Sequence, residues 1–185
     1  MIITILFVLQ YIFLFGILAI LGYLAFIMVS FRNTVPYVPT PRRIIKQMIK
    51  LAEIKPGERI VDLGSGTGRI IIPIAKKNKE NLIIGIEKSF FLRLITKLRL
   101  ALHPLINNRI QIVNRDFFNT DIASFDVIFC FLTPAALRLL TPKLKLLKTN
   151  SRIISYMFPI EETLGFREAT RHISANDTIY IYQKL

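Results

Sequence analysis

The residues that could do chemistry are concentrated in residues 60–69, which read Ile-Val-Asp-Leu-Gly-Ser-Gly-Thr-Gly-Arg. The apolar start of this segment, ending at Asp62, is typical of a buried parallel strand. Gly64, Gly66 and Gly68 then predict a tight turn whose backbone a ligand can approach closely. A helix pattern follows. A strand, a glycine-rich turn and a helix N-terminus together favour a nucleotide-like ligand that carries an anionic group.

The spacing of the glycines distinguishes this motif from two other nucleotide-binding motifs. Dinucleotide-binding turns have the pattern G-x-G-x-x-G, and phosphate loops end in Gly-Lys-Ser or Gly-Lys-Thr. This chain has D-x-G-x-G-x-G and no Gly-Lys pair in the turn. The pattern resembles the first motif of class I methyltransferases, which use S-adenosylmethionine (AdoMet).

Polar side chains also follow the next three predicted strands. Glu87 ends the second strand, Asp116 follows the third, and Thr133 follows the fourth. Ligands of open α/β sheets bind beyond the carboxyl ends of the strands, so these side chains are expected near Asp62. Glu87 could accept hydrogen bonds from both ribose hydroxyls, Asp116 could accept one from an adenine amino group, and the first helix N-terminus suits the methionine carboxylate. The simpler alternative is that each carboxylate is a strand-end cap or a solvent-facing charge.

The elements that must position these residues alternate between strand and helix, which predicts a parallel α/β sheet. Strands are predicted at residues 59–62, 82–87, 110–114, 126–131 and 152–158, and a closing antiparallel hairpin at 167–173 and 178–184. Helices are predicted at 41–53 with Thr40 as its cap, at 68–77 with Pro73 as a kink, from Ser89 to His103, and from Thr133 to Lys148 with a break at Thr141-Pro142.

An uncharged apolar segment precedes the predicted sheet. Ile2 to Val29 is interrupted only by Thr4, Gln10 and two glycines. As a helix it would be about 42 Å long, against roughly 30 Å for the hydrocarbon core of a bilayer. A cleaved signal peptide would need a basic start and a small-residue cleavage site, and the segment has neither. The basic residues follow the segment, so the positive-inside rule predicts a single-pass protein with its N-terminus outside and its catalytic domain on the cytoplasmic face.

The distribution of charge predicts three parts. The chain is 52% hydrophobic with a net charge of +13, and every charged side chain lies at or after Arg32. We expect a transmembrane helix at residues 1–31, a proline-rich linker with a basic amphipathic helix at 32–55, and an AdoMet-binding methyltransferase domain at 56–185. The one cysteine, Cys130, and two distant histidines predict no metal site.

Residues 32–158 resemble the membrane-anchored class I lysine methyltransferases, the family that includes the ATP synthase c-subunit lysine N-methyltransferases. Five segments carry this resemblance, in the order and at the spacing of the family: 36–41 (Pro-Tyr-Val-Pro-Thr-Pro), 62–69 (Asp-Leu-Gly-Ser-Gly-Thr-Gly-Arg), 85–87 (Gly-Ile-Glu), 131–134 (Phe-Leu-Thr-Pro, with Leu137, Leu140 and 142–144 after it) and 152–159. The resemblance implies a Rossmann-like α/β sheet of parallel strands with a C-terminal antiparallel hairpin, preceded by one transmembrane helix.

The resemblance also implies roles for particular residues. AdoMet would be bound by Asp62, Gly64, Ser65, Gly66, Gly68, Glu87 and Asp116. Tyr37 would close over the cofactor or substrate, and Thr133 and Pro134 would line the mouth where the methyl group is transferred. The chain departs from the family at Thr67, where Asp is frequent, and in the short segment after Phe158.

The expected function is AdoMet-dependent methylation of a lysine in a membrane protein. The reaction is an in-line displacement that needs positioning and a neutral amine. A charge of +13 repels a lysine substrate, which tethering to the same membrane offsets. The partners expected are therefore a membrane-protein lysine and an anionic lipid surface, contacted by Arg42, Arg43, Lys46 and Lys50. The alternatives are methylation of RNA, methylation of a lipid or small molecule, and a non-catalytic membrane scaffold.

Overall fold

The computed structural model describes residues 2–31, 37–174 and 176–185, and the chain divides into two units. The first unit is one long apolar helix. This helix, α1, spans Ile2–Phe31. The central segment of α1, Leu6–Leu24, has a mean hydropathy of 2.2, and none of its residues is buried. By length and composition α1 is therefore suited to cross a membrane. The second unit begins at Val38 and contains the rest of the chain.

The second unit is built on a seven-stranded sheet, as the sequence predicted. The strands follow the order β3-β2-β1-β4-β5-β7-β6, and all neighbours are parallel except β5–β7 and β7–β6. The predicted α/β class and the closing hairpin are thereby confirmed. The strands span Arg59–Leu63 (β1), Leu82–Ile86 (β2), Ile110–Val113 (β3), Val127–Cys130 (β4), Arg152–Tyr156 (β5), Phe166–Ser174 (β6) and Asp177–Lys184 (β7).

Helices lie between parallel strands, and two of them begin at a side-chain cap. The Ser89 hydroxyl accepts a hydrogen bond from the Leu92 N–H, and the Thr133 hydroxyl accepts one from the Ala136 N–H. Both side chains therefore satisfy first-turn amides that have no partner within the helix. The helices span Arg42–Leu51 (α2), Ile71–Lys77 (α3), Phe90–Ala101 (α4), Pro104–Asn107 (α5) and Pro134–Leu144 (α6), and a 3-10 turn spans Phe117–Asn119.

Several details of the predicted helices are wrong. Thr40 does not cap α2, because Pro41 occupies the cap position with no side-chain hydrogen bond, and Thr40 is buried. Helix α6 does not break at Thr141-Pro142 but continues through Pro142 to Leu144. The buried side chains of Leu140 and Leu144 hold the turn on both sides of the proline. Their burial offsets the one backbone hydrogen bond that proline removes.

Helix α3 also begins later than predicted, at Ile71 instead of Gly68. Gly68 has a φ of +72°, which is incompatible with a right-handed helix. Pro73 lies in the first turn of α3, where a missing N–H leaves no intrahelical bond unmade, so it does not interrupt the helix.

Helix α2, which the sequence analysis assigned to the linker segment, packs into the core of the second unit. Its buried face consists of Ile44, Ile45, Met48 and Ile49, and it contacts β5 and β7. Polar contacts reinforce this packing. The Tyr156 hydroxyl donates to Asp177 at 2.5 Å, and Arg43 pairs with the same carboxylate at 2.5 Å. These contacts tie the start of the domain to the hairpin that closes its sheet.

Candidate functional site

The parallel register brings the predicted site residues to one edge of the sheet. Asp62 on β1 lies beside Gly85 on β2 and beside Phe129 on β4. Glu87 directly follows β2, and Thr133 lies three residues beyond the end of β4. Asp116 follows β3, the neighbour of β2. The carboxyl ends of four adjacent strands therefore bring these polar groups to one edge of the sheet.

Backbone hydrogen bonds join the glycine turn after β1 to the end of β2. The N–H groups of Gly64 and Ser65 both donate to the Ile86 carbonyl, at 2.9 Å and 3.0 Å. The backbone then needs positive φ at Gly64, Gly66 and Gly68, with values of +78°, +55° and +72°. Side chains other than glycine are strained in this region. The motif thus specifies a compact turn that returns towards β2.

Glu87 is held by this turn. Its Oε2 accepts a hydrogen bond from the Gly66 N–H at 2.8 Å, and its Oε1 accepts one from the Ser89 N–H at 2.8 Å. The side chain is only 9% exposed. Each carboxylate oxygen can accept a further hydrogen bond. Two protein amides therefore fix the carboxylate and leave it able to accept two more donors, the number that a ribose diol offers.

Asp62 lies deeper than Glu87 and is 3% exposed. Burial, together with the charge of Glu87, raises the pKa of the Asp62 carboxyl to about 8. Desolvation disfavours the charged form, and a nearby like charge disfavours it further. At neutral pH the site thus contains one carboxyl with a strong preference for its proton.

Asp116 has protein partners of its own. It caps the 3-10 turn by accepting from the Phe118 N–H at 3.0 Å, and it pairs with Lys88 at 3.2 Å. The same turn places Phe117 near the glycine motif. A Cβ at Gly64 would lie 4.0 Å from the Phe117 ring and 3.9 Å from Leu132, so apolar side chains flank the exposed backbone of Gly64 without covering it. Apolar walls beside a carboxylate suit a nucleoside.

Ser65 faces away from this exposed backbone. Its hydroxyl is buried and has no hydrogen-bond partner among the described residues. A Cβ at Gly85 would lie 2.7 Å from this oxygen, so the hydroxyl is directed towards β2. Any contact of Ser65 with a cofactor would therefore be made by its backbone. Gly85 is a site residue that the sequence analysis did not assign, although a glycine inside a strand is a recognised signal of close backbone approach.

Helix α4 supports the glycine turn with two side chains that the sequence analysis did not single out. The buried Thr96 hydroxyl donates to the Gly66 carbonyl at 2.9 Å, and Arg99 donates to the Thr67 carbonyl at 2.6 Å. Arg69 donates in turn to the Thr40 carbonyl at 3.0 Å, which joins the end of the proline-rich segment to the turn. Only the fold brings these residues together, and no spacing in the sequence indicates it.

The residues predicted to act on the substrate are less closely grouped. Thr133 and Pro134 form the start of α6 at the site edge, and the Thr133 hydroxyl serves there as a helix cap. Phe131, just before them, packs its ring 4.6 Å from that of Tyr156. Tyr37 is half-buried and falls before the boundary at Val38, so its predicted closure over the cofactor stays a prediction.

Comparison with known proteins agrees with this site. Residues 62–164 match the model of the ANTKMT methyltransferase domain. A protein-lysine N-methyltransferase from Saccharolobus islandicus is 32% identical over 83% of this chain and 96% of its own length. An ATP synthase c-subunit lysine N-methyltransferase from Caenorhabditis elegans is 22% identical over 83% of this chain and 82% of its own length.

A solved structure extends the comparison to the fold and the cofactor. An RNA methyltransferase from Salinibacter ruber in complex with S-adenosyl-L-homocysteine superposes with a TM-score of 0.70 and 26% identity, covering 80% of this chain and 94% of that one. The cofactor of this chain is accordingly AdoMet. The free acceptor capacity of Glu87 and the apolar walls beside Gly64 fit its nucleoside. The family match, the relatives and this geometry agree, and the chain belongs to the ANTKMT methyltransferase family.

Proposed function

We propose that this protein is a membrane-anchored protein-lysine N-methyltransferase that acts on a membrane protein. The observation that carries the proposal is the similarity to the Saccharolobus protein-lysine N-methyltransferase, which extends over most of both chains. Relatives from Caenorhabditis elegans and Mus musculus are named for lysines of the ATP synthase c-subunit and of the adenine nucleotide translocase. Both names support a membrane protein as the substrate.

The anchor in this proposal is α1. Its apolar segment Leu6–Leu24 is long enough to cross a bilayer, and residues 1–31 carry no charged side chain. Arg32, Arg42 and Arg43 follow the helix. The proposed orientation therefore has the N-terminus outside and the catalytic domain at the cytoplasmic face. An enzyme tethered in this way meets membrane substrates at a high effective concentration.

The site residues have distinct proposed tasks. AdoMet supplies a methyl group bound to a sulfonium. Glu87 accepts from the ribose hydroxyls, the backbone at Gly64 and Gly66 lies against the nucleoside, and Asp116 lies towards the adenine. These contacts fix the methyl donor in the in-line geometry that the displacement needs.

The incoming lysine must reach the site without its proton. Thr133 and Pro134 lie at the proposed mouth, beside the aromatic pair of Phe131 and Tyr156. An apolar aromatic surface disfavours the ammonium form, so it lowers the pKa of a lysine bound there. The Thr133 carbonyl or hydroxyl then orients the neutral amine towards the methyl group.

RNA is the second candidate substrate, because a net charge of +13 suits a polyanion and the Salinibacter structure is of an RNA methyltransferase. The two candidates are separated by incubating the full chain with tritiated AdoMet and membranes or RNA from its source. Glu161→Ala, an exposed surface change, is the matched control for Glu87→Ala, which is expected to bind AdoMet more weakly. We expect methyl-lysine in an acid hydrolysate of one membrane protein. Label that appears only in RNA or in the lipid extract would refute the proposal.

A further inference from the structure

Helix α4 carries an apolar face that no part of the described structure covers. This face, called here the α4 outer face, opposes the buried side chains Leu92, Thr96 and Leu100. Its side chains recur at helical spacing and are between 42% and 89% exposed: Phe90, Phe91, Leu94, Ile95, Leu98 and, beyond the helix end, Leu102 and Leu105. Contiguous exposed apolar surface of this kind marks an interaction site.

Most charges near the α4 outer face are positive, and among them Lys88 is paired with Asp116. Residues 88–115 contain six Lys or Arg side chains and neither Asp nor Glu. Arg93 and Arg99 are directed inward, where they donate to backbone carbonyls. Lys97 is exposed on the helix and has no acidic partner among the described residues. The surface therefore combines apolar side chains with uncompensated positive charge.

A groove at the end of this surface extends the same combination. It has a volume of about 640 Å³ and lies beside the α4–α5 connection. Leu102 and Leu105, which are 78% and 89% exposed, supply apolar side chains, and Lys76, Lys79 and His103 supply polar ones. Neither lysine pairs with a described carboxylate. The groove therefore suits the phosphate of a lipid headgroup whose acyl chains contact the leucines.

We infer that the α4 outer face docks on an anionic lipid bilayer, with its apolar side chains in the interfacial region and its lysines at the headgroups. An amphipathic helix with a basic rim and an apolar face binds membranes in this way. Each lysine near an anionic surface strengthens the attraction, and the effect falls off within a Debye length. A second copy of this chain would present the same positive charge and repel it. The inference rests on the proposed membrane anchoring, and it assigns a membrane contact to the catalytic unit itself.

Docking through α4 would also orient the active site. On the inner face of α4, Thr96 and Arg99 donate hydrogen bonds to the Gly66 and Thr67 carbonyls. The helix begins shortly after Glu87. The α4 outer face thus lies on the opposite side of the helix from the side chains that support the glycine turn. A docked α4 fixes the distance between the methyl donor and the membrane surface, and this favours target lysines close to the headgroups.

The absence of tryptophan from the natural chain provides a clean test. Single tryptophans are introduced as Leu98→Trp on the α4 outer face, Leu139→Trp on α6 and Leu14→Trp on α1. All three leucines are at least half exposed, so the substitutions remove no core side chain. The full-length variants are reconstituted into phosphatidylcholine vesicles with and without phosphatidylglycerol. Tryptophan emission and its quenching by brominated lipid are recorded, and retained AdoMet binding shows that each variant is folded.

The inference predicts blue-shifted emission and several-fold stronger bromolipid quenching for Leu98→Trp than for Leu139→Trp. It also predicts that this quenching falls when phosphatidylglycerol is omitted. Quenching of Leu14→Trp alone would leave the anchor intact and overturn docking through α4. A blue shift at Leu98→Trp without quenching would indicate a protein partner and overturn it as well. Quenching that is equal in both lipids would overturn the role of anionic charge.

Discussion

The carboxylates of Glu87 and Asp62 lie at the same edge of the sheet in different environments. Glu87 accepts hydrogen bonds from the Gly66 and Ser89 amides. Asp62 is enclosed in the sheet, where burial and the charge of Glu87 raise its pKa to about 8. Of these two carboxyl groups, Glu87 is therefore the one suited to accept hydrogen bonds from a ligand.

The raised pKa of Asp62 makes stability depend on pH. The folded protein holds this proton up to about pH 8, whereas the unfolded chain releases it near 3.8. Between these values the folded state binds more protons, so the free energy of unfolding decreases as pH rises. We expect the melting temperature of the full chain in detergent to fall from about pH 4 to about pH 8. Asp62→Asn should reduce this fall.

The control for this experiment is Asp121→Asn, which changes an exposed carboxyl and should leave the slope as it is. Hydrogen bonds from Tyr156 and Ser174 lower the pKa of Asp177. The stability that Asp177 contributes is lost only as pH falls below the chosen range. An unchanged slope in Asp62→Asn would show that Asp62 does not hold a proton in the folded protein.

Removal of the Glu87 carboxylate should weaken cofactor binding. Hydrogen bonds to a charged group contribute about 1.5–3 kcal/mol, so Glu87→Ala is expected to raise the Kd for AdoMet by roughly tenfold to a hundredfold. Isothermal titration of the variant measures this change, with Glu161→Ala as the exposed control. The loss should be smaller for an AdoMet analogue that lacks the ribose hydroxyls. An equal loss for both ligands would exclude Glu87 as the ribose acceptor.

At the scale of elements, the close approach of β2 to the glycine turn is set by Gly85. A Cβ at this position would lie 2.7 Å from the Ser65 hydroxyl and 2.9 Å from Ile71. Gly85→Ala should therefore destabilise the fold by about 1–3 kcal/mol and displace the turn that holds Glu87. Chemical denaturation measures the first effect and AdoMet titration the second.

The second-site variant Ser65→Gly removes the nearest of these atoms. Combined with Gly85→Ala, it should restore part of the lost stability, because only the Ile71 contact then remains. Additive losses in the double variant would show that Ser65 and Gly85 do not oppose each other across the turn.

The sequence predicted the elements well where one signal dominated. All seven strands begin and end within two residues of the predicted bounds, and Ser89 and Thr133 cap helices as expected. The errors arose where tertiary packing outweighed a local rule. Pro142 was expected to break a helix, but the buried Leu140 and Leu144 hold it. Thr96 and Arg99 could not be assigned, because their contact with the glycine turn exists only after β2 and α4 are folded.

At the scale of the whole molecule, the charged residues are confined to one part of the chain. Residues 1–31 have no charge, and the remaining chain carries the whole net charge of +13. All the described residues that form the AdoMet site lie in the unit that begins at Val38. We therefore attribute cofactor binding to this unit and access to the substrate to α1.

Deletion of residues 2–31 tests this division. The truncated protein should bind AdoMet with the affinity of the full chain, because every core and site contact described for the second unit remains. It should leave the membrane fraction and lose most of its activity towards a membrane-embedded substrate. Cell fractionation and a methylation assay on isolated membranes measure the two effects. Undiminished membrane methylation by the truncated protein would contradict the role of α1.

Every role proposed for the site residues requires that AdoMet binds at the turn after β1. The decisive measurement is calorimetric titration of AdoMet into the full chain and into its Gly66→Arg variant. Gly66 is buried at a φ of +55°, so an arginine would strain the backbone and obstruct the turn. We predict one AdoMet bound per wild-type chain with micromolar affinity, and no detectable binding by Gly66→Arg. Normal binding by a folded Gly66→Arg would contradict the assignment of the site.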